Sequence, residues 1–255
     1  MKKQQISIVT VSYNAGLVIE KTIKSIIAQN YDNIQYLIID GGSNDSTLSV
    51  IKRYKAYISY FVSEPDKGIY DAMNKAIKVA TGEWIIFMNA GDLLIDGVLN
   101  KIFVKEIDGL IDVVYGDTII KYPFGNRYIK AGFFANNDMN LPFCHQSAIV
   151  RTKYMKQYRF DLGYKIAADY NFFYTLYKEG RKFLHVPIPI AQYDAIGFST
   201  SRVLETYKEV CSINGRNHGF KYYLVYGGLI LRRAIMDFIP DSCFTFYRKL
   251  KYRNE

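Results

Sequence analysis

The sequence predicts an α/β fold, a mostly parallel, doubly wound sheet with a helical C-terminal extension. Three observations predict it. Four apolar, β-branched runs are separated by amphipathic stretches between residues 6 and 88, the spacing of strand–helix units. Three of these runs give way to small and polar residues (10–16, 40–47 and 89–92), as strands do where an open α/β sheet receives its ligands. Past residue 200 the pattern turns helical, aromatic and basic.

Residues 6–11 read as a strand buried on both faces, because such strands are apolar without alternation. A helix follows, its apolar stripe made of Leu17, Ile19, Ile23, Ile26 and Ile27. Residues 35–39 are the second strand, and Asp45 or Ser46 can cap a helix over 47–54. A strand over 58–63, a helix over 70–80 and a strand over 83–88 complete this half. The pattern then loosens. Strands are expected over 112–115 and 143–151, with one or two less regular strands over 116–133. A helix over 167–179 ends at Gly180, whose missing Cβ suits a left-handed cap. Residues 183–193 form a strand, and Pro187 and Pro189 put it at a sheet edge because neither can donate to a ladder. With no repeat or linker, the chain reads as one domain over 1–198 and a helical, basic extension over 199–255.

The 255 residues are 49% hydrophobic, enough for a large core. The first five residues lead straight into a strand, so no signal peptide is expected. Cys144, Cys211 and Cys243 form no paired or zinc-binding pattern, which fits a reduced, cytoplasmic protein. Of the net charge of +9, five lie in residues 216–255, with eight Lys/Arg against three Asp/Glu. Such an excess suits nucleic acid, an anionic membrane or a phosphorylated substrate. No nucleic-acid-binding motif accompanies it, so nucleic acid is not an expected partner.

Parallel strands present their carboxyl ends to one side, so the turns at 10–16 and 40–47 share a rim. Asp40 can accept from a ribose or base, and Gly41 and Gly42 let backbone approach a ligand; the same residues also make an ordinary tight turn. No dinucleotide-binding or P-loop glycine pattern is present. Asp92 follows Asn89-Ala90-Gly91 at the end of the fourth strand. A carboxylate there can hold Mg²⁺ or Mn²⁺ when a diphosphate supplies further oxygens, and it can equally be a turn residue.

Four segments occur together in this order: Ile-Val-Thr-Val-Ser-Tyr-Asn (8–14), Asp-Gly-Gly-Ser-Asn-Asp-Ser-Thr (40–47), Ser-Glu-Pro-Asp-Lys-Gly-Ile-Tyr-Asp-Ala-Met-Asn-Lys (63–75) and Ala-Thr-Gly-Glu-Trp-Ile-Ile-Phe-Met-Asn-Ala-Gly-Asp (80–92). The chain thereby resembles family 2 glycosyltransferases of the bacterial branch that builds capsule, exopolysaccharide and O-antigen, closely over 5–95 and more loosely over 140–195. The resemblance implies a GT-A fold (a Rossmann-like nucleotide-binding sheet) and inverting transfer of a sugar from a nucleotide-diphosphate donor, UDP-linked by preference. It implies a donor site of Thr10, Ser12, Tyr13, Asn14, Asp40, Gly41 and Ser43, then Asp66, Lys67 and Gly68, then Asn89, Ala90 and Gly91. Asp92 becomes the sole protein carboxylate on Mg²⁺ or Mn²⁺, because Asn89 stands where many members are acidic. Asp71 and Asn74 either face solvent or touch the sugar. Asp169, in a helical first turn, resembles the family's catalytic base, against the plainer reading of a capping residue. His145 and Gln146 are expected at the acceptor side, and Cys144 in the core.

Residues 222–231 are too short an apolar run to span a bilayer, which needs about 20. With Arg232, Arg233 and the basic run 248–253, they suggest a helix at an anionic membrane surface; packing on the domain is the equal alternative. The expected partners are therefore a nucleotide-sugar donor, a polyprenyl-linked glycan acceptor and the inner face of the cytoplasmic membrane, with a homodimer left open. A sugar-phosphate nucleotidyltransferase and a catalytically idle membrane scaffold are the rival readings.

Overall fold

The computed structural model describes residues 3–123, 125–134, 140–194 and 202–238. One nine-stranded sheet runs through it in the order β3-β2-β1-β4-β8-β6-β9-β5, with β7 paired to β6. Its first half is parallel, as expected: β1 (Ile6–Ser12) lies between β2 (Ile34–Asp40) and β4 (Trp84–Phe87), and β3 (Tyr60–Ser63) flanks β2. Helices α1 (Ile19–Ile27), α2 (Thr47–Arg53) and α3 (Ile69–Val79) cross between them. Alternate residues of β1 enter opposite cores: Ile6 and Ile8 pack with Ile19, Ile23 and Ile26 of α1, whereas Val9 and Val11 pack with Met73 and Ile77 of α3. Both faces of the sheet are thus covered, and each fully buried Ile contributes about 1.5–3 kcal/mol.

Leu17 departs from the expected stripe. It is 99% exposed, because the chain is still turning there: the amides of Val18 and Ile19 both donate to the Ala15 carbonyl, and the helix begins only at Ile19.

The second half is mixed. β8 (Ala148–Arg151) is antiparallel to β4 and to β6 (Val113–Tyr122), while β9 (Phe183–Asp194) runs parallel to β6. β6 is longer than its regular sequence suggests and turns back at Pro123 into β7 (Gly125–Ile129). Register shifts around Asp117 coincide with the two prolines of β9; β9 is an edge only until Ala191 and Gln192, where β5 (Leu93–Leu94) pairs with it. Helices α4 (Val98–Ile102) and α5 (Thr152–Tyr158) carry weak sequence patterns and were not expected. The strand expected over 143–151 occupies only its second half. Before it, the Ser147 amide donates to the Cys144 carbonyl and closes a single 3-10 turn, His145–Ser147, that lifts His145 and Gln146 off the sheet.

Helix α6 (Ala168–Lys178) ends as expected near Gly180, at φ 73°. Helices α7 (Val203–Ile213) and α8 (Phe220–Phe238) make the extension helical, and α8 exposes Phe220, Tyr223 and Leu224. Among the described residues no helix is long and apolar enough to cross a membrane. The basic run 248–253, Cys243 and the expected boundary at 198/199 lie outside the described residues.

Candidate active site

Strand register builds the first part of the site. Ser12 of β1 stands beside Asp40 of β2, and Asp40 beside Ser63 of β3. The Ser12 and Ser43 hydroxyls donate to Asp40 Oδ1 at 2.9 and 2.6 Å, and the Ser63 hydroxyl and Ser43 and Gly42 amides to Oδ2 at 2.7, 2.8 and 3.2 Å. Burial would raise the Asp40 pKa, but these donors, Ser43 foremost, hold it below the ordinary carboxylate value. The adjoining turn is tied in as well: the Asn14 amide donates to Ser43 Oγ at 2.8 Å, and Asn14 Oδ1 accepts from the Asn44 amide at 3.0 Å. Asp45 accepts from the Thr47 and Gly16 amides at 2.9 and 3.0 Å, so it is the carboxylate that closes the start of α2.

Thr10 is fully buried against the Tyr36 hydroxyl at 3.1 Å, and Ser12, Asp40 and Ser43 are buried with it. These four form the floor of the rim; with five donors already in place, Asp40 has no unsatisfied oxygen to offer a ribose. Tyr13, Asn14, Lys67 and Gly68 are exposed above them. Gly41 lets this upper layer close: a Cβ there would stand 2.5 Å from Asp66 Oδ2 and 3.4 Å from the Tyr13 ring. Asp66 accepts from the Gly68 amide at 2.8 Å, and Asp71 from the Lys67 amide at 3.0 Å. Asn74 neither faces solvent nor reaches a sugar. It is buried, and its side chain exchanges hydrogen bonds with the backbone of Phe160 at 2.8 and 2.9 Å.

The second part is a cavity of about 530 Å³ where the loop after β4 meets the turn before β8 and the start of α6. Asn89, Ala90, Gly91, Asp92, His145, Gln146 and Asp169 all line it, so two carboxylates 77 positions apart (92 and 169) reach one space. Gly91, at φ 106°, makes the bend and donates to Thr22 Oγ1 at 2.8 Å. Gln146 donates from Nε2 to Asp92 Oδ2 at 3.1 Å, and the Cys144 thiol donates to Gln146 Oε1, which fixes that amide's orientation. Cys144 therefore supports the site from a half-buried position rather than filling the core, and burial pushes its thiol up to about 12. Burial likewise pushes Asp92 up to about 6, only partly offset by Gln146, His145 and Lys21.

Asp169 is held differently. It accepts from His145 Nδ1 at 3.0 Å (Oδ2), and from the Tyr170 amide at 2.8 Å and the Tyr70 hydroxyl at 3.1 Å (Oδ1). Burial raises its pKa, but His145 and the two other donors outweigh that and keep it below its ordinary value. The carboxylate stays ionised, as a base must be. Because an ionised carboxylate only accepts, His145 carries its proton on Nδ1. Its Nε2 and the Asn89 Oδ1 are both buried without a partner among the described residues.

Among the described residues no three His, Cys, Asp or Glu side chains cluster as a preformed metal site. The residues nonetheless fit a hard cation that takes most of its ligands from a substrate. Asp92 is a carboxylate whose burial lacks full compensation, and Asn89 Oδ1 is an orphaned oxygen beside it in the loop. Sequence reasoning missed Tyr70, Cys144 and Lys21. Lys21 pairs with Asp194 at 2.9 Å, and both charges act on Asp92. Tyr70 lies within the segment 63–75 and Cys144 directly before His145-Gln146, but Tyr70 bonds to residues 166 and 169, which that segment does not name.

A family model, glycosyl transferase family 2, matches residues 7–179. The chain belongs to that family. Membership removes the nucleotidyltransferase reading. Among its relatives is a PGL/p-HBAD biosynthesis glycosyltransferase of Mycobacterium bovis, 26% identical over 219 residues, covering 80% of this chain and 82% of the relative. Another is the UDP-Glc:alpha-D-GlcNAc-diphosphoundecaprenol beta-1,3-glucosyltransferase WfgD of Escherichia coli, 32% identical over 113 residues, 44% of this chain and 45% of WfgD. Two solved structures share the GT-A fold of this family 2 glycosyltransferase. TarS 1-349 of S. aureus, in complex with UDP-GlcNAc, has a TM-score of 0.64 at 19% identity and covers 82% of this chain and 65% of its own. The chain spans 39% of the longer TarS structure. The mannosyltransferase PcManGT of Pyrobaculum calidifontis, in complex with GDP-Man and Mn²⁺, has a TM-score of 0.64 at 15% identity, covering 100% of this chain and 82% of its own.

Proposed function

We propose that this family 2 glycosyltransferase moves a sugar from a nucleotide-diphosphate donor, UDP-linked by preference, to a hydroxyl of a polyprenyl-linked glycan, with inversion. The observation that carries the reading is the meeting of Asp92 and Asp169 in one cavity, the first under-compensated and the second held ionised. The nucleoside lies on Tyr13, Asn14 and Gly41 with Asp66, Lys67 and Gly68 around it, above the floor of Thr10, Ser12, Asp40 and Ser43. Asp92, with Asn89 Oδ1, would hold Mg²⁺ or Mn²⁺, which supplies neutralising charge for the diphosphate. Asp169 takes the proton of the acceptor hydroxyl as its oxygen bonds to the anomeric carbon. The bond from that carbon to the diphosphate breaks, and the nucleoside diphosphate leaves with the electron pair. His145 and Gln146 form the acceptor wall. The sugar type, hexosyl or N-acetylhexosaminyl, stays with the donor assay.

The donor preference draws on the UDP-GlcNAc and UDP-Glc in the names of TarS and WfgD, and the lipid-linked acceptor on the name of WfgD. The exposed aromatics of α8 suit the extension from 199 onward to a peripheral place on the inner leaflet. Incubation with UDP-, GDP- and dTDP-sugars, Mn²⁺ and a polyprenyl-diphosphate-linked sugar tests the reading. Free nucleoside diphosphate and a product of inverted anomeric configuration are expected; retained configuration would refute the single displacement. Failure to turn over any of the donors tried would favour the idle scaffold.

A further inference from the structure

The first turn of α6 carries Asp169, yet the helix has no capping side chain of its own, its N-cap position being Ala167. The turn that leads into the helix is held instead from the C-terminal extension. Glu209 of α7 accepts from the Lys165 amide at 2.9 Å through Oε1, and from the Ile166 and Ala167 amides at 2.9 and 2.8 Å through Oε2. One carboxylate thus satisfies three consecutive amides just ahead of the base, where a negative charge also meets the positive end of the helix dipole. The contact is packed. Val210 of α7 is buried with Ala167 and Tyr170, and the Tyr170 hydroxyl and the Asn214 side chain exchange hydrogen bonds at 2.8 and 3.0 Å.

The Ile166 peptide links this clamp to the reacting carboxylate. Its amide is held by Glu209, and its carbonyl accepts from the Tyr70 hydroxyl at 2.6 Å. That same hydroxyl stands 3.1 Å from Asp169 Oδ1. A hydroxyl has one proton, so the Ile166 carbonyl and Asp169 compete for it or share it in a three-centre bond. The orientation of the Ile166 peptide therefore decides how firmly Tyr70 holds the Asp169 side chain and how much of its basicity it takes.

Resting on the reading of Asp169 as the base, we propose that Glu209 is a positioning residue for catalysis. On this proposal α7 completes the active site instead of serving only as an attachment. Glu209 touches no substrate; it acts through the Ile166 peptide and Tyr70.

Two measurements on the 255-residue chain test this, with Glu209→Ala, the near-isosteric Glu209→Gln and the exposed Glu205→Ala as control. The first is amide hydrogen exchange by mass spectrometry, which needs no activity. Exchange over residues 165–170 is expected to speed up in Glu209→Ala, less in Glu209→Gln and not in Glu205→Ala, with α3 unchanged. The second is steady-state kinetics. In Glu209→Ala kcat is expected to fall at least about tenfold while the donor KM stays within about twofold, the pattern of a misplaced reacting group; Glu209→Gln should recover part of kcat. Unchanged exchange would overturn the clamp. Faster exchange with unchanged kcat, or a loss confined to donor KM, would overturn the catalytic role. A wild-type chain that transfers no sugar would count against the glycosyltransferase reading alone, since the exchange result stands without it.

Discussion

The two halves of the site treat their carboxylates in opposite ways. On the strand-end rim Asp40 is completely buried and accepts five hydrogen bonds. In the cavity, among the described residues, Asp92 has one protein donor and a raised pKa, and Asn89 Oδ1 and His145 Nε2 have no partner. A buried polar group left unsatisfied costs about 1–3 kcal/mol, so such a cluster persists where a ligand completes it. The comparison separates framework from chemistry. A carboxylate whose oxygens are all engaged shapes the backbone, and one whose needs are unmet awaits a partner.

The comparison can be broken most sharply at Asp169. On the proposed assignment Asp169→Asn removes the base while keeping its shape, and the transfer rate is expected to fall by about 100- to 10,000-fold. Turnover assays check this; a fall smaller than tenfold would return Asp169 to the role of a capping residue. Next in size is Asp40→Asn. Replacing a charged acceptor of five donors is expected to cost about 2–3 kcal/mol of stability, read by urea unfolding. The framework reading further requires kcat in the folded variant to stay within a few-fold of wild type.

Gln146→Ala leaves Asp92 without its donor. Loss of such a supporting group weakens metal affinity by about 10- to 100-fold, measurable as the Mn²⁺ dependence of donor binding.

The raised pKa of Asp92 gives a pH dependence with two signs. Below about 6 the folded chain protonates this carboxyl, so cation-dependent donor affinity should fall about tenfold per pH unit. The same shift acts oppositely on folding. The native state binds this proton more tightly than the unfolded chain, so the stabilisation is fully present below the ordinary value of 3.8 and lost as pH rises through about 6. Unfolding curves of wild type and Asp92→Asn without metal isolate it: wild type should lose stability relative to the variant between pH 4 and 6. The smallest effect belongs to Leu17, whose replacement by Ala should change stability by under about 0.5 kcal/mol, against about 2–5 for Ile23→Ala.

The parallel half of the fold was legible because each strand and helix there carries its own periodicity, and parallel strands share a rim. Asp92 was singled out by its place at a strand end, and Asp169, in a helical first turn, by its resemblance to the family's catalytic aspartate; the structure brings both to one cavity. The rest depends on distant pairing. The antiparallel strands of the second half lie between partners that their own sequences do not specify, and the turn that exposes His145 and Gln146 interrupts what reads as continuous strand. Tyr70 on α3 and Glu209 on α7 join the site from other segments, and no window of sequence contains their partners at 165–169. Asn74 shows the converse. It sits on a helix face where a polar residue suggests solvent or ligand, and its bonds go to Phe160, 86 positions away.

Calorimetric titration of a nucleotide-sugar with Mn²⁺, paired with single-turnover transfer, tests the division of labour most directly in wild type, Asp92→Asn and Asp169→Asn. Donor affinity should collapse in Asp92→Asn and persist in Asp169→Asn, with transfer lost in both. Wild-type donor affinity in Asp92→Asn, or normal transfer by Asp169→Asn, would contradict the assignment of metal to one carboxylate and proton to the other.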